Sequence, residues 1–219
     1  MNHSLVAEGF GIRLRPVQME DAAFLVWLRN LDHAKGMIGD SATDTASQEE
    51  WLKTYFERDG DYYFVIETTC GIPVGAFGYY NMTSESCDIG RWVVWPVVPA
   101  GVPSIIPALD MGFQHLGIHK LQLTVVSTNQ RAINLYRRLC FREMHVETGA
   151  QIINGESVDQ IHMVMEEDDW AKGRKTIMPV ALMLGARIRK WEKGAITMFQ
   201  SPMWPKSLQS QETEQEEQE

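Results

Sequence analysis

Cysteine is scarce in this sequence, and its three residues, Cys70, Cys87 and Cys140, lie far apart. An odd number of cysteines at no metal-ligand spacing argues against a disulfide framework and against a zinc site. We therefore predict reduced thiols, a cytoplasmic location and no bound metal.

Long apolar runs and an excess of positive charge are missing as well. No stretch approaches the roughly 18 consecutive apolar residues of a membrane-spanning helix, and the N-terminus lacks the basic and apolar regions of a secretory signal. The net charge of -9 argues against nucleic-acid binding, which needs clustered Lys and Arg. We expect neither an integral membrane segment nor a nucleic-acid partner.

The hydrophobic fraction, by contrast, is substantial. It amounts to 44% of 219 residues, enough for one ordinary domain plus an extension. The pattern first predicts a loose terminus, a strand at 10–15, a helix after Pro16 and a second helix with a capping box at 47–50. The remaining pattern predicts strands at 62–68, 74–81 and 88–95, a helix capped by Ser104, a strand through 121–125, a helix from Asn129, and a hairpin over 142–165 that turns at Asn154-Gly155.

The stretch 119–141 is the most informative. A strand is followed by Asn129, a good N-cap, and by a helix that carries Tyr136 on its inner face. This unit resembles the acetyl-CoA-binding half of the GNAT superfamily of N-acetyltransferases, whose pattern is roughly N-x-x-A-x-x-x-Y-x-x-x-G-F. Asn129, Ala132, Tyr136 and Phe141 match it. Cys140 stands where the family has glycine, and because φ > 0 is unfavourable for cysteine, we expect a differently built turn.

The resemblance implies acetyl-CoA as the acyl donor and roles for two of these residues. Asn129 would lie beside the pantetheine arm, and Tyr136 would hydrogen-bond the thioester sulfur. A phenol suits that position because it can protonate the leaving thiolate. The alternative is that Tyr136 is a core aromatic residue whose hydroxyl reaches the surface.

The order of elements before this motif, a strand and two helices followed by an antiparallel meander, is also that of a GNAT domain. Residues 27–30 and 146–170 are similar to a branch with ribosomal-protein-alanine and amino-sugar acetyltransferases. The resemblance implies an α/β fold with a mixed, mostly antiparallel twisted sheet, flanking helices and a C-terminal helical extension. We predict a GNAT-like domain at 1–170, an extension at 171–205 with a helix broken near Gly185, and a disordered acidic tail at 206–219.

The loop before the central helix departs from the family pattern. In the family, backbone N–H groups of a Q/R-x-x-G-x-G/A loop hold the CoA pyrophosphate at the start of a helix. Here Pro96 and Pro99 occupy two motif positions, and proline has no N–H. One interpretation is a reshaped loop, and the other is a degenerate site that no longer transfers acyl groups. The first interpretation predicts cofactor contacts at Val94, Val98, Ala100, Gly101, Val102 and Ser104, in addition to Asn129, Ala132 and Tyr136.

Transfer to an amine also needs a base, because an amine whose pKa is well above 7 must lose a proton before it reacts. Asp88 matches the position of an acid in this branch, and Glu85 is the neighbouring candidate. The alternative for Asp88 is a surface ion pair with Arg91 or Arg13.

The loop after the first helix lines the acceptor site in this branch, so the resemblance implies Arg29 and Asn30 as substrate contacts. The alternative is a solvated helix end. We expect an acetyl-CoA-dependent N-acetyltransferase that acts on the primary amine of a small molecule, an amino sugar or an antibiotic-like amine, with a protein N-terminus as second choice. The rival is a non-catalytic binding protein with a degenerate GNAT fold. Three arrangements are open to the extension: packing on its own domain, packing in a homodimer, and lying on a membrane surface. The first two are the simpler expectation.

Overall fold

Eight strands and five α-helices form the described part of the chain, which in this computed structural model is residues 3–35, 37, 42–153 and 155–195. The strands are β1 (Ala7–Gly9), β2 (Ile12–Pro16), β3 (Tyr62–Thr68), β4 (Pro73–Tyr80), β5 (Ser86–Val94), β6 (Lys120–Val126), β7 (Arg142–Ile153) and β8 (Glu156–Glu166). The helices are α1 (Ala22–Arg29), α2 (Thr45–Phe56), α3 (Gly101–Asp110), α4 (Gln130–Arg138) and α5 (Glu167–Ala195). A 3-10 turn at Met19–Asp21 leads into α1, and a π-helical turn at Met111–His115 extends α3.

All eight strands belong to one sheet, in the order β1-β2-β3-β4-β5-β6-β8-β7. Every neighbouring pair is antiparallel except β5 and β6, which run parallel because α3 forms the crossover between them. This mixed sheet, its flanking helices and the C-terminal helix confirm the predicted fold class.

The helices are divided between the two faces of the sheet. On one face, Phe77 and Tyr79 of β4 pack with α3, α5 and the buried Ile133 of α4. On the other face, Ala76 of β4 and Tyr63 of β3 pack with α1 and α2. Successive residues of a strand point to opposite faces, so β4 contributes to both cores.

Three element starts differ from the sequence prediction. Helix α2 begins at Thr45, and its N-cap is Asp44 instead of the predicted Ser47. The carboxylate of Asp44 accepts the N–H of Ser47 at 2.8 Å. Helix α3 begins at Gly101, and the hydroxyl of Ser104, the predicted cap, donates instead to the Gly101 carbonyl at 2.9 Å. Residues 7–9, predicted to be loose, form β1, which is joined to β2 by a turn with positive φ.

Helix α5 runs unbroken past Gly185, so the predicted interruption there is wrong. The backbone of Phe10 lies against Gly185, and the carbonyl of Leu139 lies against Gly173 of the same helix. A Cβ at either position would collide with backbone atoms, so both glycines allow close packing. The proposed limits of the domain, extension and tail stay predictions, and residues 196–219 and Asn154 lie outside the described residues. Within the described ranges, no helix combines the length and hydropathy needed to span a bilayer.

Candidate active site

Strands β5 and β6 separate after a short stretch of pairing. Residues 86–88 pair with residues 120–122, and the register between the two strands then ends. The register of β5 with β4 shifts close to this point, and Arg91 has a φ of 53°. Such a bulge bends the strand that carries it. The pairing of β5 with β6 therefore does not extend to their carboxyl ends, where α3 and α4 begin, and we call the space between the unpaired parts of the two strands the cleft.

The edge of β5 offers backbone groups to this cleft. Because the N–H of Trp95 bonds to Val74 of β4 at 2.7 Å, the N–H and carbonyl of the preceding residue, Val94, point away from β4 and toward the gap. The Val94 carbonyl accepts a hydrogen bond from His33 Nε2 at 3.1 Å. Val94, predicted as a cofactor contact, thus lies on the wall of the cleft, where the side chain of His33 reaches it.

The first turn of α3 has no side-chain cap. Of the five N–H groups predicted to bind pyrophosphate, three are bonded within the chain: Val98 to Trp95, Ala100 to Val98 and Ser104 to Ala100, at 3.1, 2.7 and 3.0 Å. The other two belong to Gly101 and Val102, the first residues of the helix, which have no intrahelical carbonyl to bond. The anion-binding capacity of this loop is therefore concentrated on these two residues.

Helix α4 is built as its sequence predicts at the N-terminus. Asn129 Oδ1 accepts the N–H of Ala132 at 3.1 Å. At the other end, Cys140 has a φ of 72°, and the N–H of Phe141 bonds to the Tyr136 carbonyl at 3.0 Å. The expected change of turn at Cys140 is therefore wrong, because the left-handed turn forms with cysteine in the glycine position.

The phenol of Tyr136 lies in an environment that keeps it protonated. The side chain is half-buried and its ring packs edge-on against Phe141, 5.6 Å between centroids. Removal of the phenol from water, and to a lesser extent the neighbouring Tyr80 phenol, raises the pKa of Tyr136 to about 12. A tyrosine in this state can donate its proton at neutral pH.

The α1/α2 face of the cleft carries a cluster of charged and aromatic side chains. Arg91 forms a bidentate pair with the buried Asp61, at 2.5 and 2.9 Å. The Arg91 guanidinium also lies 4.8 Å from the ring centroid of Tyr80. Tyr80 pairs directly with Asp88 across β4 and β5, so these two side chains share this face.

The two predicted bases occupy different places. The Asp88 carboxylate accepts a hydrogen bond from Asn81 Nδ2 at 2.7 Å. The alternative ion pairs with Arg91 or Arg13 do not form, because Arg91 binds Asp61, and Arg13 lies beside Glu8 and Glu67. Glu85 precedes β5, and its carbonyl accepts the N–H groups of His119 and Lys120 at the closed end of the β5–β6 pair. Asp88 therefore lies at the fork, and Glu85 does not.

The two residues predicted as substrate contacts have structural partners. Asn30 Nδ2 donates to the carbonyls of Val26 and Ala42, at 2.8 and 2.9 Å, and so ties the end of α1 to the residues that precede α2. Arg29 donates a hydrogen bond to the hydroxyl of the buried Tyr63. Both residues thus hold the end of α1 in place, and their role as substrate contacts stays a prediction.

Sequence reasoning missed the cluster of Tyr80, Arg91 and Asp61. Its members come from separate strands and loops, and they meet through the ion pair of Arg91 with Asp61 and the contact of Arg91 with the Tyr80 ring. One signal was available: Gly90 lies inside a strand, and a glycine there often marks the close approach of another group. Among the described residues, no three His, Cys, Asp or Glu side chains cluster in a way that could hold a metal ion.

Solved structures with the same fold include several acetyltransferases. An apo structure of FdhC, a nucleotide-linked sugar GNAT, is 22% identical, with a TM-score of 0.67, covering 83% of this chain and 99% of its own. A mutant of the spermidine N-acetyltransferase SpeG from Vibrio cholerae is 20% identical, with a TM-score of 0.66, covering 74% and 96%. A GCN5-related N-acetyltransferase from Brucella melitensis is 16% identical, with a TM-score of 0.69, covering 82% and 86%. At these identities the similarity shows the fold alone.

The sequence itself supplies the family assignment. No curated protein matches the chain. The family model described as an acetyltransferase (GNAT) domain matches residues 12–142, which is more than half of the chain. Together with the split sheet and the helix that carries Tyr136, this match shows that the chain belongs to the GNAT family of N-acetyltransferases.

Proposed function

We propose that this enzyme transfers the acetyl group of acetyl-CoA to the primary amine of a small molecule, such as an amino sugar or an antibiotic-like amine. The observation that carries the proposal is the cleft between β5 and β6, with the protonated phenol of Tyr136 beside it. Two of the similar structures are named as a sugar GNAT and a spermidine N-acetyltransferase, and these names support a small amine as the acceptor.

The residues that line the cleft fit the parts of acetyl-CoA. The N–H groups of Gly101 and Val102, with the positive end of α3, would hold the pyrophosphate. The backbone of Val94 would bond the amides of the pantetheine arm from one side, with Asn129 and Ala132 at the start of α4 on the other. Bound acetyl-CoA supplies an acetyl group activated as a thioester.

Two side chains would handle the protons of the reaction. Asp88 would accept the proton of the acceptor amine, directly or through a water, so that the nitrogen reacts as a neutral nucleophile. Tyr136 would donate its proton to the sulfur as the C–S bond breaks, because a thiolate is a poorer leaving group than a thiol. Glu85, at the closed end of the strand pair, remains the weaker candidate for the base.

A thiol-release assay with acetyl-CoA tests this proposal. Amino sugars, alkyl polyamines and aminoglycoside-type amines form one panel, and peptides with different N-terminal residues form the other. Release with at least one small amine is the expected result. Release with peptides alone would assign the enzyme to protein N-termini instead.

The non-catalytic rival rests on the prolines of the α3 loop and on the bonded N–H groups of Val98, Ala100 and Ser104. It predicts no thiol release with any member of either panel, at any enzyme concentration. An inactive enzyme that also binds no acetyl-CoA would decide in favour of this rival.

Location and assembly complete the proposal. Cys70, Cys87 and Cys140 are free thiols, which supports a reducing, cytoplasmic location. The exposed apolar side chains Val180, Leu182 and Met183 on α5 support a homodimer through the C-terminal extension. Light scattering of the full chain tests this, and a monomer at high micromolar concentration would reject the dimer.

A further inference from the structure

The phenol of Tyr80 lies at the fork of the sheet. A Cβ added to Gly90 would be 2.5 Å from the Tyr80 hydroxyl and 3.1 Å from its Cε1. The ring therefore lies directly on the backbone of β5. Gly90 is separated by Ile89 from Asp88, the last residue of β5 that pairs with β6, and it directly precedes Arg91 of the bulge. The Tyr80 hydroxyl is thus fixed where the cleft begins.

The neighbours of Tyr80 pack against its ring, so the hydroxyl is the part of this side chain that can form a hydrogen bond to a ligand. Arg91 covers the ring face, and Asp61 holds Arg91 in a bidentate pair. The same guanidinium lies 5.4 Å from the ring centroids of both Trp51 and Tyr63. Because Asp61 compensates the charge of Arg91, this residue serves as a support for Tyr80 and not as a ligand for an anion.

The phenol shares a face of the sheet with Asp88, one of the two groups that the proposed function assigns to proton transfer. Asp88 is the direct cross-strand partner of Tyr80, and its charge raises the pKa of Tyr80 after the larger effect of burial, with Arg91 acting in the opposite direction. The Tyr80 phenol also contributes, after the larger effect of burial, to the raised pKa of Tyr136, so the two phenols are near enough to interact. The two phenols come to the cleft from opposite faces, Tyr80 from β4 and Tyr136 from α4.

We propose that Tyr80 contacts the acceptor: its hydroxyl oxygen accepts an N–H of the amine and holds the nitrogen between Asp88 and the thioester. This inference rests on the proposed function, and it adds a residue that orients the nucleophile. A neutral amine has one lone pair, which must point at the acetyl carbon, so a fixed acceptor for its N–H determines the direction of attack. Gly90 is required because any side chain there would displace the hydroxyl.

Tyr80→Phe removes the hydroxyl and keeps the ring under Arg91. The expected result is a loss of about tenfold or more in kcat/KM for the acceptor amine, with the Kd for acetyl-CoA unchanged within about twofold. Tyr62→Phe is the matched control, because Tyr62 is half-buried on the other face of the sheet, and it should behave as wild type. An unchanged kcat/KM in Tyr80→Phe, or an equal loss in Tyr62→Phe, overturns the inference.

Gly90→Ala provides an independent test through a double-mutant cycle. In the wild-type background it should reduce kcat/KM for the amine about as much as Tyr80→Phe, because both remove the hydroxyl from its position. In the Tyr80→Phe background the same change should have a much smaller effect, since no hydroxyl remains to be displaced. If the double variant loses kcat/KM by the product of the two single losses, the inference is overturned. If wild-type enzyme releases no thiol with any amine, the proposed function itself fails, which is a result distinct from these.

Discussion

Helices α3 and α4 both begin at the open end of the cleft, yet their first turns are held in different ways. Asn129 caps α4 with its side chain, whereas α3 starts after Ala100 with no side-chain cap and with proline at positions 96, 99 and 103. On α4 the groups proposed to act are side chains, and on α3 they are backbone N–H groups. A sequence motif shows side chains but not the hydrogen bonds of backbone N–H groups. The sequence of the proposed cofactor site therefore matches the family pattern on the α4 side and departs from it on the α3 side.

The α4 side of this comparison is tested most severely by Tyr136→Phe. We expect kcat to fall roughly 100-fold, the range of general acid catalysis, with the Kd for acetyl-CoA within about twofold of wild type. Because the pKa of Tyr136 is raised to about 12, the phenol stays protonated at alkaline pH. The wild-type rate should therefore show no decrease from this group up to about pH 9. An unchanged kcat in the variant would remove the acid role.

The packing of α4 against α5 is tested by Gly173→Ala. The new Cβ would meet the carbonyl of Leu139 at the end of α4, so the free energy of unfolding should decrease by roughly 2 kcal/mol. Gly194→Ala is the matched control in the same helix, because its Cβ would have no atom within 4 Å, and its stability should be unchanged or slightly higher. Equal losses in urea unfolding would show that the Gly173 contact is unimportant.

The α3 side is tested by Gly101→Glu. Open space surrounds a Cβ at this position, so the fold should be unaffected, while the new carboxylate would repel the pyrophosphate and weaken acetyl-CoA binding by about tenfold. Gly101→Gln has the same shape without charge and should bind as wild type. Acetyl-pantetheine, which lacks the pyrophosphate, should bind both variants equally. A Gly101→Glu variant with unchanged affinity for acetyl-CoA would move the phosphate site away from α3.

The smallest expected effect concerns the end of α4. Cys140 adopts a φ of 72°, which is unfavourable for a residue with a Cβ, so Cys140→Gly should raise the free energy of unfolding by about 1 kcal/mol. Cys140→Ala keeps the strain and should match wild type. A gain in the alanine variant instead would point to the thiol, and not to the backbone, as the source of the instability.

Most of the fold could be predicted from the sequence, because strands with alternating apolar residues and helices with apolar stripes follow one another in a recognisable order. The starts of α2 and α3 could not, since the residue that looks like the best cap by type is not the N-cap in either helix. Asp44 and Ser47 both precede the apolar face of α2, and in the structure the carboxylate of Asp44 accepts both the N–H and the hydroxyl of Ser47. Ser104 is a good cap by residue type, but its hydroxyl bonds back to Gly101 within the helix.

The site could be predicted in part. Tyr136 and Asn129 belong to one continuous motif, and their positions follow from it. The position of the split has a weak local signal, because the residue with positive φ in β5 is Arg91, and only Gly90, directly before it, hints at an irregularity in the strand. Tyr80 and Asp61 were missed for a related reason: they join the site through strand pairing and a long-range ion pair, and neither has a local signature.

Isothermal titration of acetyl-CoA into the wild-type protein tests the central claim most directly, since every proposed role depends on a thioester lying in the cleft between β5 and β6. One binding site per chain, with a Kd in the micromolar range that rises in Gly101→Glu and not in Gly101→Gln, is the predicted result. No heat of binding at millimolar acetyl-CoA would contradict the account.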